Sequence, residues 1–185
     1  MRDRERLRDL LIEHSLMFGE FTLASGKTSS FYFDSKKTTL LAEGSYLTAK
    51  EILRLLGEQS VRADAIGGMT LGADPIVCAV AAVSFIEGRP LPAFIVRKET
   101  KDHGTARRIE GNLAPGSRVV VVDDVVTTAS STLKAIEAVV QAGHHVAAVT
   151  CIVDREEGGT EHLASWPFYP LFSRSEIFAS VDGRG

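Results

Sequence analysis

The spacing of apolar and polar positions changes period several times along the chain, and each change marks an element. Over residues 2–17, Arg, Asp and Glu alternate with Leu7, Leu10, Leu11 and Leu16 at helical spacing, which predicts an amphipathic helix lying on the body of the protein. Residues 18–35, FGEFTLASGKTSSFYFDS, switch to aromatic and β-branched side chains around Ser25-Gly26-Lys27 and read as strand, turn, strand. A second helix follows over 43–58, carrying Tyr46, Leu47, Ile52, Leu55 and Leu56. Ala65-Ile66-Gly67-Gly68-Met69 then reads as a strand whose glycines would let a ligand approach the backbone closely. Thr70-Leu71-Gly72-Ala73 leads into a helix over 75–87, opened by Pro75 and apolar nearly all round, so that burial on every side is expected.

Strands over 92–97 and 146–153 flank the most apolar strand, Val119-Val120-Val121-Val122, whose uninterrupted valines predict burial on both faces in the centre of a parallel sheet. A helix over 131–142, with Leu133, Ile136, Val139 and Val140 on one face and Gly143 as its stop, connects the central strand to the last of these. Strand-helix-strand alternation of this length builds βαβ units, and ligands of such sheets bind beyond the carboxyl ends of the strands. Four features fall there: Thr70-Leu71-Gly72-Ala73, Arg97 with the polar run that follows it, Asp123-Asp124 with the segment 127–132, and Asp154-Arg155. The run 98–112, KETKDHGTARRIEGN, has almost nothing to bury, and a polar loop this long in a compact domain is disordered or functional. The aromatic, proline-broken tail, LASWPFYPLFSRSEIF, is expected to pack with the hairpin as a small second layer, Trp166 serving as core.

Composition narrows the classes. One domain is the simplest reading of 185 residues, and the net charge of −3 lacks the broad basic surface that nucleic-acid binding needs. No apolar stretch approaches a membrane span and the charged N-terminus has no signal-peptide core, which points to the cytoplasm. Cys78 and Cys151 lie in apolar runs without metal-ligand spacing and are expected to be buried free thiols.

A run of small and hydroxyl side chains at a helix start suits a phosphate, because the first backbone N–H groups have no partner within the helix. Carboxylates beside such a site would repel the anion unless they addressed sugar hydroxyls or a hydrated magnesium ion, so Asp123 and Asp124 favour a sugar phosphate. The bland alternative is strand, cap and helix start, with Thr127 or Ser130 as N-cap. Apolar strand, Asp-Asp and a Thr/Ser loop resemble the PRPP-binding motif of the type I phosphoribosyltransferases. The family commonly has glycine after the threonine pair; here Ala129, Ser130 and Ser131 stand there, so any φ > 0 in the loop would strain a non-glycine residue.

Arg97, Lys98, Lys101 and His103 place three cations and an imidazole on one segment, suited to the charge that builds on a departing diphosphate. A closing lid would also keep water from an oxocarbenium-like sugar. The order R-K-x-x-K-x-H-G, with the PRPP loop and SGKxSxFYFD, closely resembles the orotate phosphoribosyltransferase family over nearly the whole chain. That resemblance implies the type I phosphoribosyltransferase α/β fold, a central parallel sheet flanked by helices. A hood from about 18–36 and 160–182 would cover a core of about 60–157, with a catalytic loop at about 98–112. It also implies conversion of orotate and PRPP to orotidine 5′-monophosphate and pyrophosphate, with magnesium, in pyrimidine synthesis.

Carried across, the resemblance makes Lys101, His103 and Asp124 catalytic, Asp124 as electrostatic support for the sugar cation. Arg97, Lys98, Lys101 and His103 would hold the diphosphate. Asp123, Asp124, Val125, Val126, Thr127, Thr128, Ala129, Ser130 and Ser131 would hold the ribose and its phosphate, Asp123 and Asp124 being the carboxylates nearest any metal. Thr127, Arg155, Tyr32 and Phe33 would meet orotate; a guanidinium at a strand end also suits a carboxylate on its own account, unless it pairs with Glu156 or Asp154. A homodimer is implied, with Lys101 acting across the interface. The competing classes are a phosphoribosyltransferase for another base and a non-catalytic PRPP-binding regulator.

Overall fold

A computed structural model of the chain describes residues 2–22, 28–98 and 108–182. Helix α1 spans Arg2–Leu10 and runs into one π-helical turn over Leu11–Ser15. Leu16 and Met17, expected in that helix, already belong to strand β1, Leu16–Thr22. The change of period is fixed from outside, since the Ser15 carbonyl accepts the Asp34 N–H at 2.9 Å and so enters the hairpin's register. Strand β2, Thr28–Phe33, pairs antiparallel with β1, Leu16 opposite Phe33. A single unforeseen turn, α2 over Lys36–Thr39, precedes α3, Ala42–Glu58.

The rest of the chain alternates. Strand β3 (Ala65–Met69) is followed by α4 (Asp74–Ile86), β4 (Ala93–Val96), β5 (Ile109–Gly111) and β6 (Arg118–Val126). Helix α5 (Ser130–Gln141), β7 (His145–Asp154), α6 (Gly159–His162), β8 (Phe168–Ser173) and α7 (Arg174–Asp182) complete it. The main sheet has the order β5-β4-β3-β6-β7-β8, parallel throughout except for β5, which runs antiparallel on β4.

Central β6 feeds two cores. Val120 and Val122 enter one face with Leu7, Ile52 and Val77, while Val119 and Val121 enter the other with Ile136 and Val139. Each such side chain contributes roughly 1.5–3 kcal/mol by leaving water, which is why four consecutive valines specify a strand covered on both sides.

Three expectations change. The polar run 98–112 contains β5, tied to the sheet where the Arg97 N–H donates to the Arg108 carbonyl at 2.8 Å. Helix α4 is not covered all round: Val77 and Val80 are buried, but Cys78, Phe85 and Ile86 are exposed, so Cys78 is an exposed thiol while Cys151 is buried. The tail divides. Its first half, β8, is the edge strand of the main sheet on β7, and its second half, α7, meets the hairpin through Phe178, whose ring packs edge-on against Phe31 at 5.0 Å and Phe18 at 5.9 Å. Gly67 and Gly68 serve packing as well: a Cβ would sit 2.4 Å from the Phe94 ring at one and 1.9 Å from the Val122 carbonyl oxygen at the other.

Candidate active site

Strand β6 continues through both aspartates to Val126, paired with β7 as far as Asp154. Pleating sends successive side chains to opposite faces, and the two carboxylates part accordingly. Asp123 is buried; its Oδ1 accepts the Asp124 N–H at 3.0 Å and its Oδ2 accepts the hydroxyls of Ser131 and Thr132, both at 2.7 Å. Burial, reinforced by the neighbouring Asp124 charge, pushes the Asp123 carboxyl up to about 6 against the pull of the Ser131 and Thr132 hydroxyls. Asp124 lies partly open. Its Oδ2 accepts the Ser35 hydroxyl at 2.5 Å and stands 3.9 Å from the Lys36 ammonium, which itself lies 3.0 Å from Asp34.

After β6 the chain turns through Thr127, Thr128 and Ala129 into α5. Ala129 has φ 60° and ψ 15°, the left-handed conformation that glycine adopts freely and that costs alanine roughly 1–2 kcal/mol. It is held by the core it enters, being 2% exposed. Ala129 is also the N-cap residue and no side chain caps the helix, so neither Thr127 nor Ser130 plays the capping part considered from sequence. The first N–H groups of α5 are left to a ligand or to water. Behind the loop, Gly159 approaches so closely that a Cβ would lie 2.4 Å from Val126 Cγ1 and 2.6 Å from the Thr127 carbonyl oxygen. His162 Nδ1 lies 2.9 Å from the Thr128 carbonyl oxygen.

Two clefts meet at Lys98. One, of about 480 Å³, is lined by Thr70, Ile95, Arg97, Lys98 and Glu110; the other, of about 440 Å³, by Met69, Lys98, Ser130, Ser131 and Lys134. Arg97 spends part of its charge across the β4–β5 ladder, where it lies 3.2 Å from Glu110. Lys134 has no place among the residues expected from sequence. It is the fifth residue of α5, one turn past Ser130, and no local pattern marks it in the sequence. Lys101 and His103 lie outside the described residues.

Arg155 begins the segment after β7. Its backbone N–H donates to the Val126 carbonyl at 2.9 Å, and Asp154 braces the turn by accepting the Glu156 N–H and the Thr160 hydroxyl, each at 2.9 Å. The guanidinium is buried, lies 4.7 Å over the Phe31 ring and pairs with Glu157 at 2.7 Å. Neither Glu156 nor Asp154 is its ion-pair partner; Glu156 accepts from Ser175 instead. Nε of Arg155 is buried and has no hydrogen-bond partner among the described residues. The aromatic triplet of β2 obeys the two-residue strand period. Phe31 meets Arg155, Phe33 enters the core at 8% exposure, and Tyr32, at 38%, packs on Phe21 at 5.6 Å. Of the three, Tyr32 and Phe33 were expected at the base from sequence, whereas Phe31 is the ring that meets the guanidinium.

No family model matches the chain. The orotate phosphoribosyltransferase of Aquifex aeolicus is 47% identical to it over 182 residues, 96% of this chain and 98% of the relative. The chain belongs to the orotate phosphoribosyltransferase family. The crystal structure of the Mycobacterium tuberculosis H37Rv orotate phosphoribosyltransferase in complex with Fe(III) dicitrate superposes with a TM-score of 0.83 at 35% identity, covering 95% of this chain and 98% of that one. The same enzyme in complex with PRPP gives a TM-score of 0.79 at 32% identity, covering 95% and 99%. The fold is thus the type I phosphoribosyltransferase fold that the sequence implies, with its mostly parallel central sheet.

Proposed function

We propose that the chain transfers the ribose 5-phosphate of PRPP to orotate, giving orotidine 5′-monophosphate and pyrophosphate in pyrimidine synthesis, at the carboxyl edge of β3, β4, β6 and β7. The observation that carries the residue-level reading is the unpartnered, buried Nε of Arg155, on a residue whose backbone N–H is bonded to Val126, three residues before the uncapped N-terminus of α5 at Ala129. A carboxylate on orotate would complete the first and the 5′-phosphate would take the second. Phe31 and Arg155 would receive the flat base, with Thr127 beside it. Asp124 would face the ribose and support positive charge at C1 as the bond to diphosphate breaks and the bond to the orotate nitrogen forms. Asp123 would chiefly fasten the loop, since both its oxygens already accept. Arg97, Lys98, Lys101 and His103 would take up charge on the diphosphate, Lys134 adding to the field beside Lys98.

Magnesium fits this arrangement as a companion of the substrate. Among the described residues no group of three or more His, Cys, Asp or Glu is placed to hold a metal, and Asp123 is engaged, which leaves Asp124 as the one carboxylate of the pair open to it. A hard cation that keeps its waters would take its other ligands from diphosphate and ribose oxygens, neutralising the leaving group.

A homodimer is supported by α4. Pro75, Cys78, Ala82 and Phe85 recur at helical spacing, and with Leu71 and Ile86 they form an apolar stripe that starts at the site's Thr70-Leu71 turn; Leu71, Phe85 and Ile86 are 65%, 74% and 81% exposed. A second copy on this stripe would stand beside the site, where its Lys101 loop could reach. The cytoplasm suits such chemistry, and among the described residues no helix is long and apolar enough to cross a membrane.

The test is loss of orotate absorbance with PRPP and magnesium, with uracil, hypoxanthine, guanine and adenine in parallel. Orotate consumption dependent on both additions is expected. Turnover of another base alone would overturn the substrate, and silence with all five would favour a PRPP-binding regulator.

A further inference from the structure

Ser35 ends the hairpin and is the N-cap residue of α2, yet its hydroxyl makes no capping hydrogen bond there. It is fully buried and donates instead at 2.5 Å to Asp124 Oδ2, a partner 89 residues away. Polar hydroxyls at helix starts normally satisfy their own first turn, so this one is committed elsewhere. On its other side the Asp124 carboxylate is confined by Gly72, where a Cβ would stand 2.5 Å from Oδ1. Lys36 adds a cation 3.9 Å from the same Oδ2, its ammonium held 3.0 Å from Asp34. Three separate elements, the β2–α2 junction, the β3–α4 turn and the end of β6, therefore meet at one carboxylate.

We propose that Ser35 is a positioning residue: its hydroxyl fixes the orientation of Asp124 and thereby ties the hairpin that carries Phe31 to the PRPP side of the site. The inference rests on the reading that Asp124 faces the ribose. A carboxylate free to turn about its side-chain torsions would have to be ordered each time PRPP bound, and one held by a charge-assisted hydrogen bond is ordered beforehand. Because Ser35 stands two residues after the end of β2, a shift of the hairpin on base binding would be passed to Asp124. The Lys36 ammonium, 3.9 Å from that same oxygen, adds charge balance at a distance beyond a hydrogen bond.

The test is a double-mutant cycle with Ser35→Ala and Asp124→Asn, reading kcat, KM for PRPP and for orotate, and melting temperature. Ser35→Ala is expected to lower kcat/KM for PRPP by roughly tenfold to a hundredfold, the range for losing a hydrogen bond to a charged group. Melting temperature should hold within a few degrees, and adding Ser35→Ala to Asp124→Asn should cause no further loss. Native kinetics in Ser35→Ala, a fully additive loss in the double variant, or a collapse in melting temperature would each overturn the positioning role. Native kinetics in Asp124→Asn alone would mark a different failure, that of the reading of Asp124 on which the inference stands.

Discussion

Thr132 donates its hydroxyl to Asp123 Oδ2 at 2.7 Å across nine residues of chain, so the end of β6 and the start of α5 are bound through a carboxyl that the fold would rather keep protonated. Burial is the first cause of that preference, and it raises the group from 3.8 to about 6. A group raised in the folded state contributes stability that is fully present below its unfolded pKa and is lost as pH rises through the folded one. Ionising Asp123 between about pH 4 and pH 6 should therefore cost on the order of 3 kcal/mol, at about 1.36 kcal/mol for each pH unit between the two values. Asp123→Asn keeps an acceptor for Ser131 and Thr132 and removes the charge, while its NH2 group loses the bond from the Asp124 N–H at every pH. Relative to the native protein its melting temperature should therefore rise between pH 4 and pH 7; parallel curves for the two proteins across that range would refute the assignment.

Gly159 is where the segment after β7 presses on the loop between β6 and α5. A methyl group there would meet Val126 Cγ1 at 2.4 Å and the Thr127 carbonyl oxygen at 2.6 Å, and the second contact is with backbone, which yields only by moving the loop. Gly159→Ala should cost about 1–3 kcal/mol of stability, as overpacking does. If that loop takes the 5′-phosphate as proposed, the shift should also weaken PRPP binding by roughly tenfold or more. Calorimetric titration with PRPP and magnesium checks it, and unchanged affinity would show that the loop tolerates the shift.

Much of this was legible because it follows from period and composition. The valines of β6 announced the central strand, and alternation announced the parallel sheet and the edge on which ligands gather. What escaped depends on distant partners. No local signal ends α1 before Leu16; the hairpin's register does, through Ser15 and Asp34. Strand β5 has too few apolar residues to show as a strand, and exists because β4 offers it a ladder. Ser35 gives no signal in the sequence, because its partner Asp124 lies 89 residues away. The loop's departure from glycine was visible, and the left-handed Ala129 shows that its strain is accepted and offset by core burial.

Arg155 offers a sharper test of substrate binding. Its guanidinium lies 4.7 Å over Phe31 and pairs with Glu157 at 2.7 Å, which fixes its plane and leaves the buried Nε without a hydrogen-bond partner among the described residues. Lysine cannot present two parallel donors to a carboxylate or stack a planar cation on the ring. Arg155→Lys should raise KM for orotate by roughly tenfold or more, while KM for PRPP changes little. Phe31→Leu keeps apolar bulk but removes the π face, and a rise of a few-fold in the same constant is expected. Equal effects on both substrates would mean that Arg155 holds the loop rather than the base.

The exposed stripe on α4 bears on assembly. Phe85 at 74% and Ile86 at 81% exposure flank a helix face that begins at the site, an arrangement that is costly in a monomer and useful in a dimer. Phe85→Glu puts an uncompensated charge into that face, and since the side chain has no core role, the fold should persist. Light scattering is expected to report a dimer for the native chain and a monomer for the variant. If Lys101 acts across the interface, activity should fall with the dimer by on the order of 10²–10³, the loss expected for one charge-stabilising group. Mixed dimers of Lys101→Ala with Arg155→Ala, each impaired alone, should recover some activity because one of the two sites is then assembled from intact parts. A monomeric Phe85→Glu protein with native kcat, or mixed dimers that stay silent, would place the whole site within a single chain.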